Sequence, residues 1–270
     1  MPGLPASQLS VVVPVYRATL DTNEAVSLES TFRVLGQHHL VMVKPEGLDT
    51  GEIEARFPFK AVETFEPAYF ASIQGYNRLL LSTGFYQRFL GSAYLLICQL
   101  DVFVFVDDLA RWLEAGYDYV GAPWVSSSAA SLLLHRVAMA LGKLRPGGRE
   151  RIYAYETRNR VGNGGFSLRK VETHHRLSLE LKGAVDQYLL HQGSHHFNED
   201  VFWSLEPLRQ GRPHRTPSAQ EALAFAWDVN PGRLHAMTGG RLPMAAHGWY
   251  KARHLQFWAP RVAAARAAAT

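Results

Sequence analysis

The 270-residue sequence contains a single cysteine, Cys98, so no disulfide can form within the chain. Cys98 follows the apolar residues 94–97, and in such a run a thiol is more often a small buried hydrophobic group than a nucleophile or a metal ligand. A fold that does without disulfides suits a reducing compartment. We therefore expect a cytoplasmic protein.

Long apolar runs are also missing from the sequence. No stretch approaches the roughly 20 apolar residues that a membrane-spanning helix needs. The N-terminus has no basic segment followed by a long apolar one, so we expect no signal peptide. The Ala- and Arg-rich segment after Pro260 fits either a frayed helix or a weak contact with a membrane, which leaves peripheral contact with the inner membrane surface open.

Basic residues outnumber acidic ones. The net charge of +4 and the sequence pI near 9.2 suit phosphate-bearing ligands, anionic lipid headgroups or nucleic acid. Zinc-finger spacing, RNP-like segments and basic heptads are absent from the sequence, so no nucleic-acid partner is predicted. The adjacent histidines at 38–39, 174–175 and 195–196 lack zinc-binding spacing. The basic segment 143–160 is either a solvated insertion or a lid that faces phosphate or acceptor.

What the sequence does contain is a series of β-branched and apolar runs. The runs 11–15, 40–43 and 94–100 are typical of strands that are buried on both faces of a parallel sheet. Helical periodicity fills the intervals between them, which predicts an α/β layered fold with a mixed, mostly parallel sheet. We expect one domain over 1–270, with a core from about 9 to 255 and a peripheral tail over 256–270.

Local signals predict a helix after Pro67 and another after Ser218. The residues after Pro67 repeat apolar positions at three- and four-residue steps, and Asn77 lies on that apolar face. The capping-box pattern Ser218-Ala219-Gln220-Glu221 predicts a helix that continues through Trp227 and ends before Pro231.

Asp101 is the first candidate for chemistry, because ligands of open α/β sheets collect beyond the carboxyl ends of the strands. A carboxylate between apolar neighbours needs a metal, a cation or several hydrogen-bond donors to offset its desolvation. The alternative is a structural carboxylate that caps backbone amides at the end of the strand.

Two further clusters likewise have both a functional and a structural interpretation. The glycines around Asn163, in the segment 161–168, permit positive φ and close approach of the backbone to a ligand, but an ordinary turn would use them equally well. Glu199 and Asp200 precede an apolar helical start, where carboxylates either stabilise the helix N-terminus or supply a general base. His247 stands alone between small residues, where a histidine is usually structural.

Several blocks, taken together in their order and spacing, resemble a bacterial family of glycosyltransferases long without an assigned function. The resemblance spans most of the chain from about Val11 to Trp249, and the family is similar to the GT-A superfamily of nucleotide-sugar transferases. The blocks are Gln99-Leu100-Asp101-Val102-Phe103-Val104-Phe105, Tyr117-Asp118-Tyr119-Val120-Gly121-Ala122-Pro123-Trp124, Val161-Gly162-Asn163-Gly164-Gly165-Phe166-Ser167-Leu168-Arg169 and Asn198-Glu199-Asp200-Val201-Phe202-Trp203, with Tyr69-Phe70, Tyr76-Asn77 and His247-Gly248-Trp249.

The resemblance implies a GT-A-like Rossmann-type fold that binds a nucleoside diphosphate sugar, commonly through an Asp-x-Asp motif and a divalent metal. Asp101 matches the second aspartate of that motif, and Gln99 replaces the first. Because a glutamine adds no charge to a metal site, the expected cofactor is Mn²⁺ or Mg²⁺ on a reduced set of ligands, Asp101 and His247.

The resemblance also implies roles for other residues. Asp200 would be the general base of an inverting transfer, and Glu199 would orient the acceptor or the adjacent loop. The residues expected to bind the nucleotide and diphosphate are Pro14, Tyr16, Asn77, Arg78, Gln99 and Asp101, and those expected to bind sugar or acceptor are Asn163, Gly164, Gly165 and Trp124.

The predicted function is therefore sugar transfer to a carbohydrate or lipid-linked acceptor in the synthesis of bacterial surface polysaccharide or glycolipid. A non-catalytic sugar- or nucleotide-binding module of the same fold is the alternative, and Gln99 favours it. A nucleotidyltransferase would open with a Gly-rich loop after its first strand, and the segment 15–19 lacks those glycines.

Overall fold

The computed structural model describes residues 7–125, 156–191 and 197–268. Most of the predicted basic segment, from 143 to 155, and the histidine pair at 195–196 lie outside the described residues. The strands are β1 (Ser7–Pro14), β2 (His39–Pro45), β3 (Ala61–Phe65), β4 (Ser92–Cys98), β5 (Val102–Val104), β6 (Tyr119–Gly121), β7 (Phe166–Lys170), β8 (Ala226–Trp227) and β9 (Ala245–His247).

The helices lie between these strands and after the last of them, together with a short 3₁₀ turn at Pro67–Tyr69. They are α1 (Thr22–Leu35), α2 (Gly51–Arg56), α3 (Ile73–Leu81), α4 (Thr83–Arg88), α5 (Leu109–Ala115), α6 (Val171–Glu180), α7 (Lys182–Leu189), α8 (Glu199–Arg209), α9 (Ala219–Ala222), α10 (Pro231–Met237) and α11 (Ala252–Ala267).

A six-stranded sheet with the order β3-β2-β1-β4-β7-β6 forms the centre of the fold. β1, β2, β3 and β4 pair in parallel, and β7 runs antiparallel to both of its neighbours. The predicted mixed, mostly parallel sheet is confirmed. The apolar runs that predicted β1, β2 and β4 are buried because helices cover both faces of the sheet, in two separate hydrophobic clusters.

A second, three-stranded sheet with the order β5-β9-β8 lies at the end of β4. Val102 pairs with His247, and the backbone N–H of Gly248 donates to the carbonyl of Asp101 at 2.8 Å. The small sheet therefore places His247 directly beside the residue that follows β4.

The helix predicted from Ser218 is much shorter than expected. Ser218 does cap it, since its hydroxyl accepts from the Glu221 backbone N–H at 3.1 Å, but α9 ends at Ala222. Ala226 and Trp227 instead form β8, are fully buried and pair with β9. The prediction of a helix through Trp227 was wrong, because burial of this segment against β9 outweighs its local helical preference.

The predicted peripheral tail also needs correction. The segment from 256 belongs to α11, and its Trp258 and Val262 are buried in a third hydrophobic cluster. Arg33 on α1 donates to the Ala265 carbonyl at 2.7 Å, which ties the end of this helix to the main fold. Within the described residues, no helix has the length and apolarity to cross a membrane.

Candidate active site

A cavity of about 1080 Å³ opens where β1 and β4 end and the small sheet begins. It gathers residues that are far apart in the sequence, from the end of β1 to the start of α11. Of the predicted site residues, those that line it are Pro14, Tyr16, Asn77, Gln99, Asp101, Trp124, Asn163, Gly164, Gly165, Glu199, Asp200 and His247.

Arg78 is the predicted site residue that does not line this cavity. It is exposed on α3, whereas the preceding Asn77 is buried and faces inward. Adjacent positions on a helix point in directions about 100° apart, and on α3 this step turns Arg78 toward solvent while Asn77 faces the cavity.

His247 lies between two carboxylates. Its Nε2 is 3.1 Å from Asp101 Oδ1, and its Nδ1 is 2.8 Å from Asp228 Oδ1. Burial lowers the pKa of His247, but the two carboxylates outweigh this effect and raise its pKa to about 9. Burial raises the pKa of Asp101 and of Asp228, and contact with His247 outweighs it, so both carboxyl groups have a lowered pKa.

Two members of this cluster were missed in the sequence. Asp228 follows β8 directly, at the end of the segment for which the sequence predicted a helix. Lys251 lies at the start of α11, with its Nζ 3.5 Å from Asp101 Oδ2. The signal in the sequence that could have revealed Lys251 is its place four residues after His247, which was itself a predicted site residue.

The glycines of the segment 162–165 are required by close packing. A Cβ on Gly165 would lie 2.4 Å from His247 Nε2, and a Cβ on Gly162 would lie 1.7 Å from the Trp124 ring. Such distances are shorter than any van der Waals contact. The glycines therefore let this loop pass directly against the imidazole and under the indole, and the alternative of an ordinary turn does not explain this contact.

Asp200 lies at the start of α8 with its carboxyl group in the cavity wall. Oδ2 accepts from the Gly164 backbone N–H at 3.2 Å, and Oδ1 accepts from the Val201 N–H at 2.8 Å. Burial, helped by the neighbouring charge of Glu199, raises the pKa of Asp200 to about 7. A carboxyl group with this pKa can take up a proton near neutral pH.

Glu199 is held differently from its neighbour. It is 4% exposed, and its carboxylate lies against the guanidinium of Arg169, with Oε1 accepting from Nη2 at 3.0 Å and Oε2 3.0 Å from Nη1. The Glu199 backbone N–H donates to Asn77 Oδ1 at 3.1 Å. Asn77, predicted to lie near a diphosphate, thus holds the amino end of α8 while it lines the cavity.

The mouth of the cavity has aromatic character. Tyr16 follows β1 and is 47% exposed, with the guanidinium of Arg17 5.3 Å from its ring centre. Trp124 is half-buried across Gly162. Both rings can offer a flat apolar face to a base or a sugar.

Comparison with known proteins gave one family match. A family model described as "Protein of unknown function (DUF5672)" matches residues 60–247. A comparison with curated proteins found no match.

Solved structures of glycosyltransferases are similar to this chain over almost its whole length. The galactosyltransferase LgtC, in complex with donor and acceptor sugar analogues, is 15% identical with a TM-score of 0.53 and covers 96% of this chain and 95% of that chain. An active-site mutant of LgtC gives 13% identity, a TM-score of 0.53 and coverage of 96% and 95%. Mouse xyloside xylosyltransferase 1 in its apo form is 12% identical with a TM-score of 0.50. The match covers 90% of this chain and 98% of that chain. At these identities the similarity shows the fold, and the predicted GT-A-like fold is confirmed.

Proposed function

This chain belongs to the family described as "Protein of unknown function (DUF5672)", and we propose that it transfers a sugar from a nucleoside diphosphate sugar to a hydroxyl group of an acceptor. The observation that carries this proposal is Asp200. Its carboxyl group has a pKa raised to about 7 and lies in a cavity that also holds Asp101, His247 and Lys251. The displacement of a diphosphate by a hydroxyl uses a base for the hydroxyl proton and a cation for the leaving diphosphate, and Asp200 and Lys251 supply both groups in one cavity.

The nucleotide would bind at the carboxyl ends of β1 and β4, as is usual for ligands of open α/β sheets. Tyr16 offers its exposed ring to the base, and Pro14 and Gln99 line the adjacent wall. Lys251 would neutralise the diphosphate, because its ammonium group is half-exposed and already faces Asp101.

A divalent metal would be held by Asp101 and by the neutral form of His247, in place of the Nε2 proton of the imidazole. The two ligand atoms are 3.1 Å apart, close enough to be neighbouring ligands of one ion, and Asp228 accepts from the other nitrogen of the imidazole as an orienting carboxylate would. Within the described residues, no group of three or more His, Cys, Asp or Glu side chains could hold a metal ion, so the protein would supply two ligands only. The remaining ligands would be diphosphate oxygens and water, which suits Mn²⁺ or Mg²⁺. When bound, such an ion supplies positive charge to the leaving diphosphate.

The transfer itself assigns one step to Asp200. The acceptor hydroxyl attacks the anomeric carbon, Asp200 takes the hydroxyl proton, and the bond between the anomeric carbon and the diphosphate oxygen breaks. A single displacement of this kind inverts the configuration at the anomeric carbon. Asn163, Gly164 and Gly165 would line the sugar pocket, and Trp124 would supply an apolar face for a sugar ring.

We expect the acceptor to be a carbohydrate or a lipid-linked glycan in the synthesis of bacterial surface polysaccharide or glycolipid. The net charge of +4 suits work beside an anionic inner membrane surface. A non-catalytic nucleotide- or sugar-binding module is the second candidate, and the observation that favours it is Gln99 in place of a carboxylate.

One experiment separates the two candidates. The protein is incubated with a panel of UDP-, GDP-, TDP- and CMP-sugars, with Mn²⁺ or with EDTA, and nucleotide release and melting temperature are both measured. Release of nucleotide from one donor supports the transferase. A donor that raises the melting temperature but is never consumed, with any tested acceptor sugar, supports the binding module instead.

A further inference from the structure

Arg169 on β7 is a fully buried cation beneath the cavity. Its guanidinium faces Glu199 along one edge, Nε and Nη2 each donate to Ser167 Oγ at 3.1 Å, and Nη1 donates to the Tyr86 hydroxyl at 3.0 Å. The ring centre of Tyr119 lies 5.5 Å from the guanidinium carbon. Contacts in all these directions hold the guanidinium in one place.

Glu199 transmits this restraint to the cavity wall. Its Oε1 would be 2.1 Å from a Cβ on Gly164, so the carboxylate is packed directly against the backbone of that glycine. The N–H of Gly164 donates to Asp200 Oδ2. Arg169, Glu199, Gly164 and Asp200 therefore form a continuous chain of contacts from the sheet to the carboxyl group in the cavity.

The first turn of α8 depends on such outside contacts. Asn198, the residue before the helix, makes no side-chain cap of its own. Asn77 of α3 instead accepts from the Glu199 N–H and donates to Asn198 Oδ1 at 3.1 Å. The helix start that carries Asp200 is thus held by α3 on one side and by β7 on the other.

Stability alone does not explain a buried ion pair. Desolvation of two charges costs about as much as their attraction returns, so apolar residues of similar size often stabilise a fold equally well or better. We propose that Arg169 and Glu199 are positioning residues, which fix the first turn of α8 so that the carboxyl group of Asp200 stays against Gly164 in the cavity wall. This inference rests on the proposed function, in which Asp200 is the base.

The titratable and charged groups that face Asp200 come from three elements. Glu199 on α8 raises the pKa of Asp200, and Arg169 on β7 lowers it. Tyr119 on β6 is also electrostatically coupled to Asp200. Replacement of Glu199 by glutamine removes one carboxylate and leaves the Arg169 cation uncompensated, so the pKa of Asp200 should fall below 7.

The test uses Glu199→Gln and the double variant Arg169→Met/Glu199→Leu. The double variant should fold, because Ser167 and Tyr86 keep their carbonyl acceptors, Gly164 and Leu80. Proteins labelled with ¹³C at aspartate carboxyl carbons and with ¹⁵N at glycine are titrated from pH 5 to pH 9. Asp200→Asn assigns the Asp200 carboxyl signal, and additional ¹³C labelling of asparagine carbonyl carbons assigns the Gly164 amide, because Gly164 is the one glycine in the sequence that follows an asparagine.

In the parent, the Gly164 amide signal should follow the titration of Asp200. In Glu199→Gln the Asp200 midpoint should move to lower pH. In the double variant the melting temperature should stay near that of the parent, while the Gly164 amide no longer follows Asp200. In the double variant, kcat with the panel donor that the parent consumes should fall about 10- to 100-fold, while the donor KM should stay unchanged.

Glu206→Gln is the matched control, since Glu206 is also buried on α8 and pairs with Arg209, but does not line the cavity. It should leave the Gly164 titration and kcat unchanged. A double variant with parental kcat and an intact coupling of Gly164 to Asp200 would overturn the positioning role. If the parent consumes no panel donor, the proposed function fails, and the NMR comparison alone decides the positioning role.

Discussion

Replacement of Asp200 by asparagine should stabilise the protein at alkaline pH. The folded-state pKa of Asp200 is about 7 against a usual value of 3.8, so the folded protein resists loss of this proton more than the unfolded chain does. For a carboxyl group with a raised folded pKa, stability is lost as pH rises from the unfolded to the folded value. The parent should thus lose about 3 kcal/mol of stability from this group between pH 4.5 and pH 8.5.

The amide of Asp200→Asn does not ionise, so the variant escapes this loss. One of its two polar atoms must face a backbone N–H, of Gly164 or Val201, as a donor rather than an acceptor, which costs about 1–3 kcal/mol at every pH. The difference in unfolding free energy between variant and parent should therefore rise by about 3 kcal/mol from pH 4.5 to pH 8.5, whatever its starting value.

Urea unfolding at five pH values across this range measures the difference directly. Asp186→Asn is the matched control, because Asp186 is a surface carboxylate of α7 with a side chain 57% exposed, and its difference from the parent should stay nearly constant. A flat difference for Asp200→Asn as well would refute the raised pKa, and with it the main physical reason for choosing Asp200 as a base.

Three further perturbations follow from the structure. Burial lowers the pKa of His214 to about 4, so the unfolded chain binds this proton at a higher pH than the folded protein does. The free energy of unfolding should therefore fall by up to about 3 kcal/mol as pH drops from 6.5 to 4. In urea unfolding, His214→Phe should reduce this dependence on pH. Gly165→Ala should reduce nucleotide release at least about tenfold, since its Cβ would lie 2.4 Å from His247 Nε2. The control Gly183→Ala, which has open space around it on α7, should keep its activity and gain about 0.4–1 kcal/mol in the free energy of unfolding. Equal activities of the two variants would contradict the packing role of Gly165. EDTA should suppress nucleotide release and Mn²⁺ should restore it, while Asp101→Asn should no longer respond to Mn²⁺; release that is insensitive to EDTA would show a site without a metal.

The central sheet could be predicted from the sequence because its strands carry their own signal. The β-branched run of β1 and the apolar run of β4 are buried on both faces, as is typical of strands in a parallel sheet that helices cover on both sides. The same logic singled out Asp101, which follows one of these runs directly and lines the cavity.

Other parts of the site could not be read from local patterns. Asp228 follows a two-residue strand that is stabilised by pairing with β9. Because that pairing is tertiary, the local sequence around Asp228 predicts a helix instead. The role of Arg169 depends on Glu199, thirty positions away, and nothing near either residue reveals the pairing. Arg78 lies outside the cavity for a related reason: the apolar pattern predicts a helix, but tertiary packing decides which side of that helix faces the cavity.

The central claim is that Asp200 removes the acceptor proton in an inverting transfer. The most direct test measures turnover of the donor found in the nucleotide-sugar panel by the parent and by Asp200→Asn, with ¹H NMR of the anomeric configuration of the first product formed. The account predicts a product of opposite configuration to the donor, and a kcat at least about 100-fold lower in Asp200→Asn. A product that retains the donor configuration, or an Asp200→Asn variant as active as the parent, would contradict it.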